Sequence, residues 1–133
     1  LDEWFERAKE EETTRVAFIH NNLETDHFIK NTREYLISWE KSKIDSPILD
    51  LIGFYQKEYM NLNFEPILER YLRSYPLSLN EKHLFFIVIS IPPIINLEGR
   101  EINITKETRK KLDYIFKTEN LVKKLLPPNN GDR

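Results

Sequence analysis

The sequence predicts a mainly helical (α+β) domain with one small β-hairpin set near its start. Three observations lead there. From residue 46 onward, apolar residues recur at helical spacing in four successive segments, each with an opening or closing signal. Between residues 15 and 39 the apolar residues instead form short β-branched and aromatic runs around a turn. Residues 84–95 (LFFIVISIPPII) are almost continuously apolar, yet they are broken by Pro92-Pro93 and fall short of the ~20 residues that cross a bilayer, so they read as a buried segment.

Taken in order, residues 2–12 place Trp4, Phe5 and Ala8 at helical spacing opposite Glu and Lys, a short amphipathic helix that Thr13-Thr14 ends. Residues 15–19 (RVAFI) have the pattern of a buried strand that delivers His20 into a loop. Residues 26–30 (DHFIK) and 34–39 (EYLISW) flank the turn sequence Asn31-Thr32-Arg33 and pair as a hairpin, with Ser38 and Glu40 at its exit. Ser46 as N-cap and Pro47 at the first helical position open a helix from Ile48 to about Met60, buried through Ile48, Leu51, Ile52 and Tyr55.

A second helix begins at Asn63, packs through Ile67, Leu68, Tyr71 and Leu72, and closes at Pro76. Ser78-Leu79-Asn80-Glu81 has capping-box spacing, and the helix it starts, residues 82–91, is apolar on nearly every side and is expected to be the central one. Pro92-Pro93 stops it. Residues 96–103 form a loop, Thr105 caps a last amphipathic helix reaching about Leu126, and residues 127–133 read as a frayed tail.

The 133 residues suit a single domain, 1–133, and 40% apolar with 32% charged residues is the balance of a chain that forms a core. A net charge of -2, with lysines and glutamates interleaved, offers no basic face to a phosphate backbone and argues against nucleic acid. The absence of cysteine removes disulfides, thiol catalysis and thiolate metal sites, and is compatible with a cytoplasmic setting. The acidic start lacks the basic and apolar regions of a signal peptide, and no membrane segment is expected. The chain begins with Leu rather than Met, which leads to the expectation that it is cut from a longer protein.

Three segments then fall in a telling order: His20-Asn21-Asn22-Leu23, then Leu36-Ile37-Ser38-Trp39-Glu40, then Ser46-Pro47-Ile48-Leu49-Asp50-Leu51. Across residues 18–54 this resembles the aminoglycoside phosphotransferase and choline kinase-like superfamily. There a His-Gly-Asp-Leu-x-x-x-x-Asn loop precedes a hairpin ending in Ile-Asp-Trp/Phe-Glu, followed by x-Pro-x-x-Asp-Leu at a helix start. The helical remainder resembles that family's carboxy-terminal lobe. Within the superfamily the chain looks closest to the spore-coat-associated kinase-like proteins of spore-forming Firmicutes, which combine this lobe with degenerate sites.

The resemblance implies a phosphotransferase site, in which one carboxylate orients the attacking hydroxyl while another carboxylate and an amide oxygen hold magnesium on the nucleotide phosphates. At the matching positions this chain has Asn22 for the orienting Asp, His27 for the amide ligand and Ser38 for the metal Asp. His20 and Asp50 do match, and the resemblance gives them an architectural role: the helix-start carboxylate supports the loop backbone. With only three glycines, neither a Gly-rich phosphate loop nor a strand lysine is found; either the amino-terminal lobe lies outside this chain, which the missing initiator Met favours, or the protein never had one.

The expectation is therefore a catalytically inactive kinase-like lobe with no cofactor and no metal, in the cytoplasm or spore coat. Its partners would be proteins, spore coat proteins among them, together with its own amino-terminal lobe. One alternative is an active small-molecule phosphotransferase that uses ATP and magnesium on Asp26 or Glu40. Another is an unrelated α-helical binding module with a groove along residues 48–75.

His20 and His27 lack the further ligands of a zinc site and read as polar loop histidines. Phe54, Tyr55, Tyr59, Phe64, Tyr71 and Tyr75 are the residue types of a cage for a quaternary amine, but their helical spacing favours packing. The basic run at residues 106–111 (KETRKK) reads as a solvated helix face.

Overall fold

Backbone pairing and helix formation confirm the mainly helical, α+β class. The structure, a computed structural model, describes residues 15–92 and 101–126. The expected amino-terminal helix, most of the loop after Pro92 and the carboxy-terminal tail lie outside them. Strands β1 (Ala17–Ile19), β2 (Phe28–Lys30), β3 (Glu34–Leu36) and β4 (Lys43–Asp45) come first, with short 3-10 turns at Thr25–His27 and Trp39–Lys41. Helices α1 (Ile48–Glu58), α2 (Phe64–Ser74), α3 (Leu79–Ser90) and α4 (Glu101–Leu125) follow. No helix among the described residues is long and apolar enough to cross a membrane.

The chain groups into two compact units, Leu1–Glu58 with Leu77–Phe85, and Tyr59–Pro76 with Phe86–Arg133. The first holds all four strands and α1. The hairpin is present as expected, with Phe28 opposite Leu36 and Lys30 opposite Glu34, but it is shorter than residues 26–39: Asp26, His27 and Trp39 belong to the two 3-10 turns.

Strand β4 was not legible. Its three residues hold a single apolar one, and it is a strand because β1 pairs with it, Phe18 against Ile44 and Ile19 against Lys43. That pairing also corrects the expectation of a buried strand at 15–19. Two antiparallel strands bury one face, so Ile19 is 2% exposed while Phe18 and Ile44, on the other face, are 65% and 74% exposed.

In α1 the expected stripe of Ile48, Leu51, Ile52 and Tyr55 is buried. The carbonyls of Ser46 and Pro47 accept from the N–H groups of Leu49 and Asp50, so the helix opens at the expected Ser-Pro step. It ends at Glu58 rather than Met60, in a turn that leads to Asn63, whose side chain caps α2 by accepting from the Glu65 N–H.

The capping box before α3 closes in both directions: the Ser78 N–H donates to Glu81 Oε2, and the Glu81 N–H donates to Ser78 Oγ. Arg15, beside β1, clasps both oxygens of the same carboxylate. Helix α3, expected from its apolar residues to be the central one, is only partly buried. Phe85, Phe86 and Ile89 are buried, whereas Leu84 and Ile87, with Ile91 just past the helix, are exposed.

In the second unit α2 and α4 lie against one another, with Lys124 Nζ on Glu65. The Tyr114 hydroxyl donates to the Ile89 carbonyl at 2.6 Å. Helix α4 starts at Glu101, so Thr105 lies inside it and is not its cap. The β-branched Ile104 and Thr105 reduce helix propensity without breaking the helix.

Two measurements test this packing. Tyr114→Phe leaves a buried carbonyl without its donor and is expected to cost about 1 kcal/mol in urea unfolding. The Glu81 carboxyl is lowered from its ordinary 4.5, chiefly by the Arg15 hydrogen bond. A carboxylate favoured in the folded state adds stability above its unfolded value and loses it as pH falls through the folded one. Glu81→Gln is thus expected to be less stable than wild type at pH 7, with the gap closing below about pH 4.5; a gap of constant size would contradict the pairing.

Candidate functional site

Asp50, in the first turn of α1, accepts two backbone hydrogen bonds: the His20 N–H at 2.8 Å on Oδ2 and the Asn21 N–H at 2.6 Å on Oδ1. The Asn21 backbone is left-handed, with φ of 59°. Asn tolerates that region better than most residues, and its side chain adds a further tether by donating to the Lys41 carbonyl at 3.1 Å.

The far end of α1 holds the next part of the loop. Lys57 Nζ donates to Asn22 Oδ1 at 2.8 Å and lies 3.5 Å from Glu24 Oε1. Glu58 accepts the Thr25 N–H at 2.8 Å. One helix thus supplies a carboxylate at its start and an ammonium and a second carboxylate in its last turn, at residues 50, 57 and 58. About two turns of helix separate the first from the others, which puts Lys57 on the same face as Asp50 and Glu58 on the adjoining, buried stripe. Lys57 and Glu58 escaped the sequence reading, although there was a signal. Glu58 extends the buried positions Leu51 and Tyr55 and is itself 7% exposed, and a carboxylate on an apolar stripe requires a partner.

A circuit of hydrogen bonds joins this loop to the hairpin. The His20 ring meets the Ile37 carbonyl through Nε2 at 2.7 Å, the Ile37 N–H donates to the His27 carbonyl at 3.0 Å, and His27 Nδ1 meets the Asn22 carbonyl at 2.8 Å. Carbonyls only accept, so His20 carries its proton on Nε2 and His27 carries one on Nδ1. His20 is buried, its Nδ1 has no partner among the described residues, and its ring and that of Trp39 form a T-shaped pair at 4.6 Å between centroids. His27 Nε2 lies 3.3 Å from Glu24 Oε1.

Among the positions named from the sequence, Asn22 and His27 are brought together, and His20 and Asp50 are joined through the backbone. Asn22 is 7% exposed and lines a pocket of about 40 Å³ with Asn21, Leu23, Leu49, Asp50, Gly53 and Lys57. That is room for a few waters. Ser38 does not line it; its backbone is left-handed, with φ of 66°, and it precedes the Trp39–Lys41 turn without a side-chain cap. Asp26 and Glu40 are exposed, one on each 3-10 turn. Among the described residues no group of three His, Cys, Asp or Glu side chains is placed to hold a metal ion. Of the aromatic residues named from the sequence, Phe54 pairs with Phe28, Tyr59 with Tyr114 and Tyr71 with Tyr75.

Comparison of the chain with protein-family models, with curated proteins and with solved structures returned no match.

Replacing Asp50 with Ala strands two N–H groups that share one charge. A loss of about 3 kcal/mol in denaturant unfolding is expected, with the Asn21 amide resonance moving most. A loss under about 0.5 kcal/mol, the range of ordinary surface changes, would show that the loop holds its own shape.

Proposed function

We propose that this chain is the carboxy-terminal lobe of a catalytically inactive kinase-like protein, related to the aminoglycoside phosphotransferase and choline kinase-like superfamily. Its role would be structural or interactive, in the manner of the spore-coat-associated kinase-like proteins. The observation that carries this reading is the pairing of a maintained scaffold with an uncharged reaction position. Asp50 grips the loop backbone at His20 and Asn21, and the very next residue, Asn22, presents an amide where phosphoryl transfer calls for a carboxylate.

An amide oxygen has no useful proton affinity near neutral pH, so Asn22 does not take a proton from an attacking hydroxyl. Its oxygen is already engaged by Lys57. The Ser38 hydroxyl brings no charge to a divalent cation, and Asp26 and Glu40 sit on separate, exposed turns. The function left to such a lobe is surface. Phe18, Ile44 and Val16 leave one face of the β1–β4 pair apolar and open, which suits a protein partner.

The test is a thermal-shift titration of the intact protein with ATP, with and without magnesium, alongside an assay for phosphate transfer. Neither a shift nor transfer is expected. A magnesium-dependent rise in melting temperature that Asp26→Ala or Glu40→Ala abolishes would sink this reading in favour of an active phosphotransferase.

A further inference from the structure

We propose that the Lys57 ammonium is the resident cation of the loop at residues 22–27, occupying from within a small-cation site formed by Asn22 Oδ1 and Glu24 Oε1 with His27 alongside. The acceptors converge on one nitrogen: Asn22 Oδ1 at 2.8 Å and Glu24 Oε1 at 3.5 Å. Glu24 Oε1 is also 3.3 Å from His27 Nε2, and His27 is fixed in turn by its Nδ1 on the Asn22 carbonyl at 2.8 Å.

An exposed lysine–glutamate pair at 3.5 Å contributes little by itself. The decisive contact is with Asn22. Its side chain is almost fully buried, its oxygen requires a donor, and the donor that reaches it carries a full charge beside a pocket of about 40 Å³. An amide oxygen, a carboxylate oxygen and an imidazole nitrogen form a donor set that a small divalent cation also accepts. The tethered ammonium and a free ion therefore compete for the same atoms, and the tethered one has the advantage of effective concentration. This makes the loop self-sufficient: its electrostatics are completed by α1, and an ion from solution finds the position taken.

The inference rests on loop geometry and not on the kinase-like reading, and its readout uses no nucleotide, so the two fail separately. Thermal unfolding of the intact wild-type protein, Lys57→Ala and Lys57→Gln is followed with added manganese(II), with ethylammonium and with sodium chloride as the ionic-strength control. Lys57→Ala is expected to melt on the order of 5 °C lower. Manganese(II) or ethylammonium should restore at least half of that loss while leaving the wild type unmoved, and adding Glu24→Gln should remove the manganese response. If Lys57→Ala does not fold, Lys57→Gln, which keeps a donor for Asn22 and loses the charge, carries the same cation test. The proposal is overturned if the variants melt with the wild type, if their loss is not restored by either cation, or if manganese(II) stabilises the wild type equally.

Discussion

Two backbone N–H groups sharing one carboxylate hold the site together. His20 and Asn21 belong to a stretch with no helix or ladder to satisfy them, and Asn21 sits in a left-handed conformation that disfavours most side chains. Asp50 supplies both acceptors at once, 30 and 29 residues away in sequence. A charged acceptor at these distances is among the stronger hydrogen-bonding groups a protein has, and it offsets the cost of the left-handed backbone. Remove that carboxylate and nothing else in the loop replaces it, since the Asn21 side chain is tied to Lys41 and the His20 ring to Ile37.

The dependence runs outward from there. Each strand has three residues and each sheet two strands, too little for either sheet to be stable in isolation. Helix α1 stabilises the arrangement from both of its ends, with its buried stripe of Ile48, Leu51, Ile52 and Tyr55 and with the charges at residues 50, 57 and 58. Charge is thus placed where the backbone lacks partners, and apolar area where it does not, which is the division expected when a loop is held by a helix rather than by its own hydrogen-bond ladder.

Elements whose cause is local could be read from the sequence. The Ser78–Glu81 capping box, the helix start at Asn63, the Ser-Pro opening of α1 and the Asn31-Thr32-Arg33 turn each follow from a few adjacent residues. Elements whose cause is distant could not. β4 exists because β1 pairs with it, and which of the apolar residues of α3 are buried, Phe85 and Ile89 but not Leu84 and Ile87, is not set by its periodicity. The site divides in the same way. Asn22, His27 and Asp50 were named from their order in the chain, whereas Lys57 reaches Asn22 across 35 positions through a fold that periodicity does not encode.

Trp39 ties the two levels together. It is one of two tryptophans in the chain, and the other, Trp4, lies outside the described residues. Its indole N–H is fixed on the Leu36 carbonyl, its ring is parallel to Phe18 at 5.9 Å, and it forms a T-shaped pair with the His20 ring at 4.6 Å. The indole therefore touches the outer face of the β1–β4 pair and the first residue of the loop together, while remaining 42% open to water. Its emission senses both neighbours and the solvent, so the protein carries a native optical probe at the point where the loop is anchored, with no label to attach.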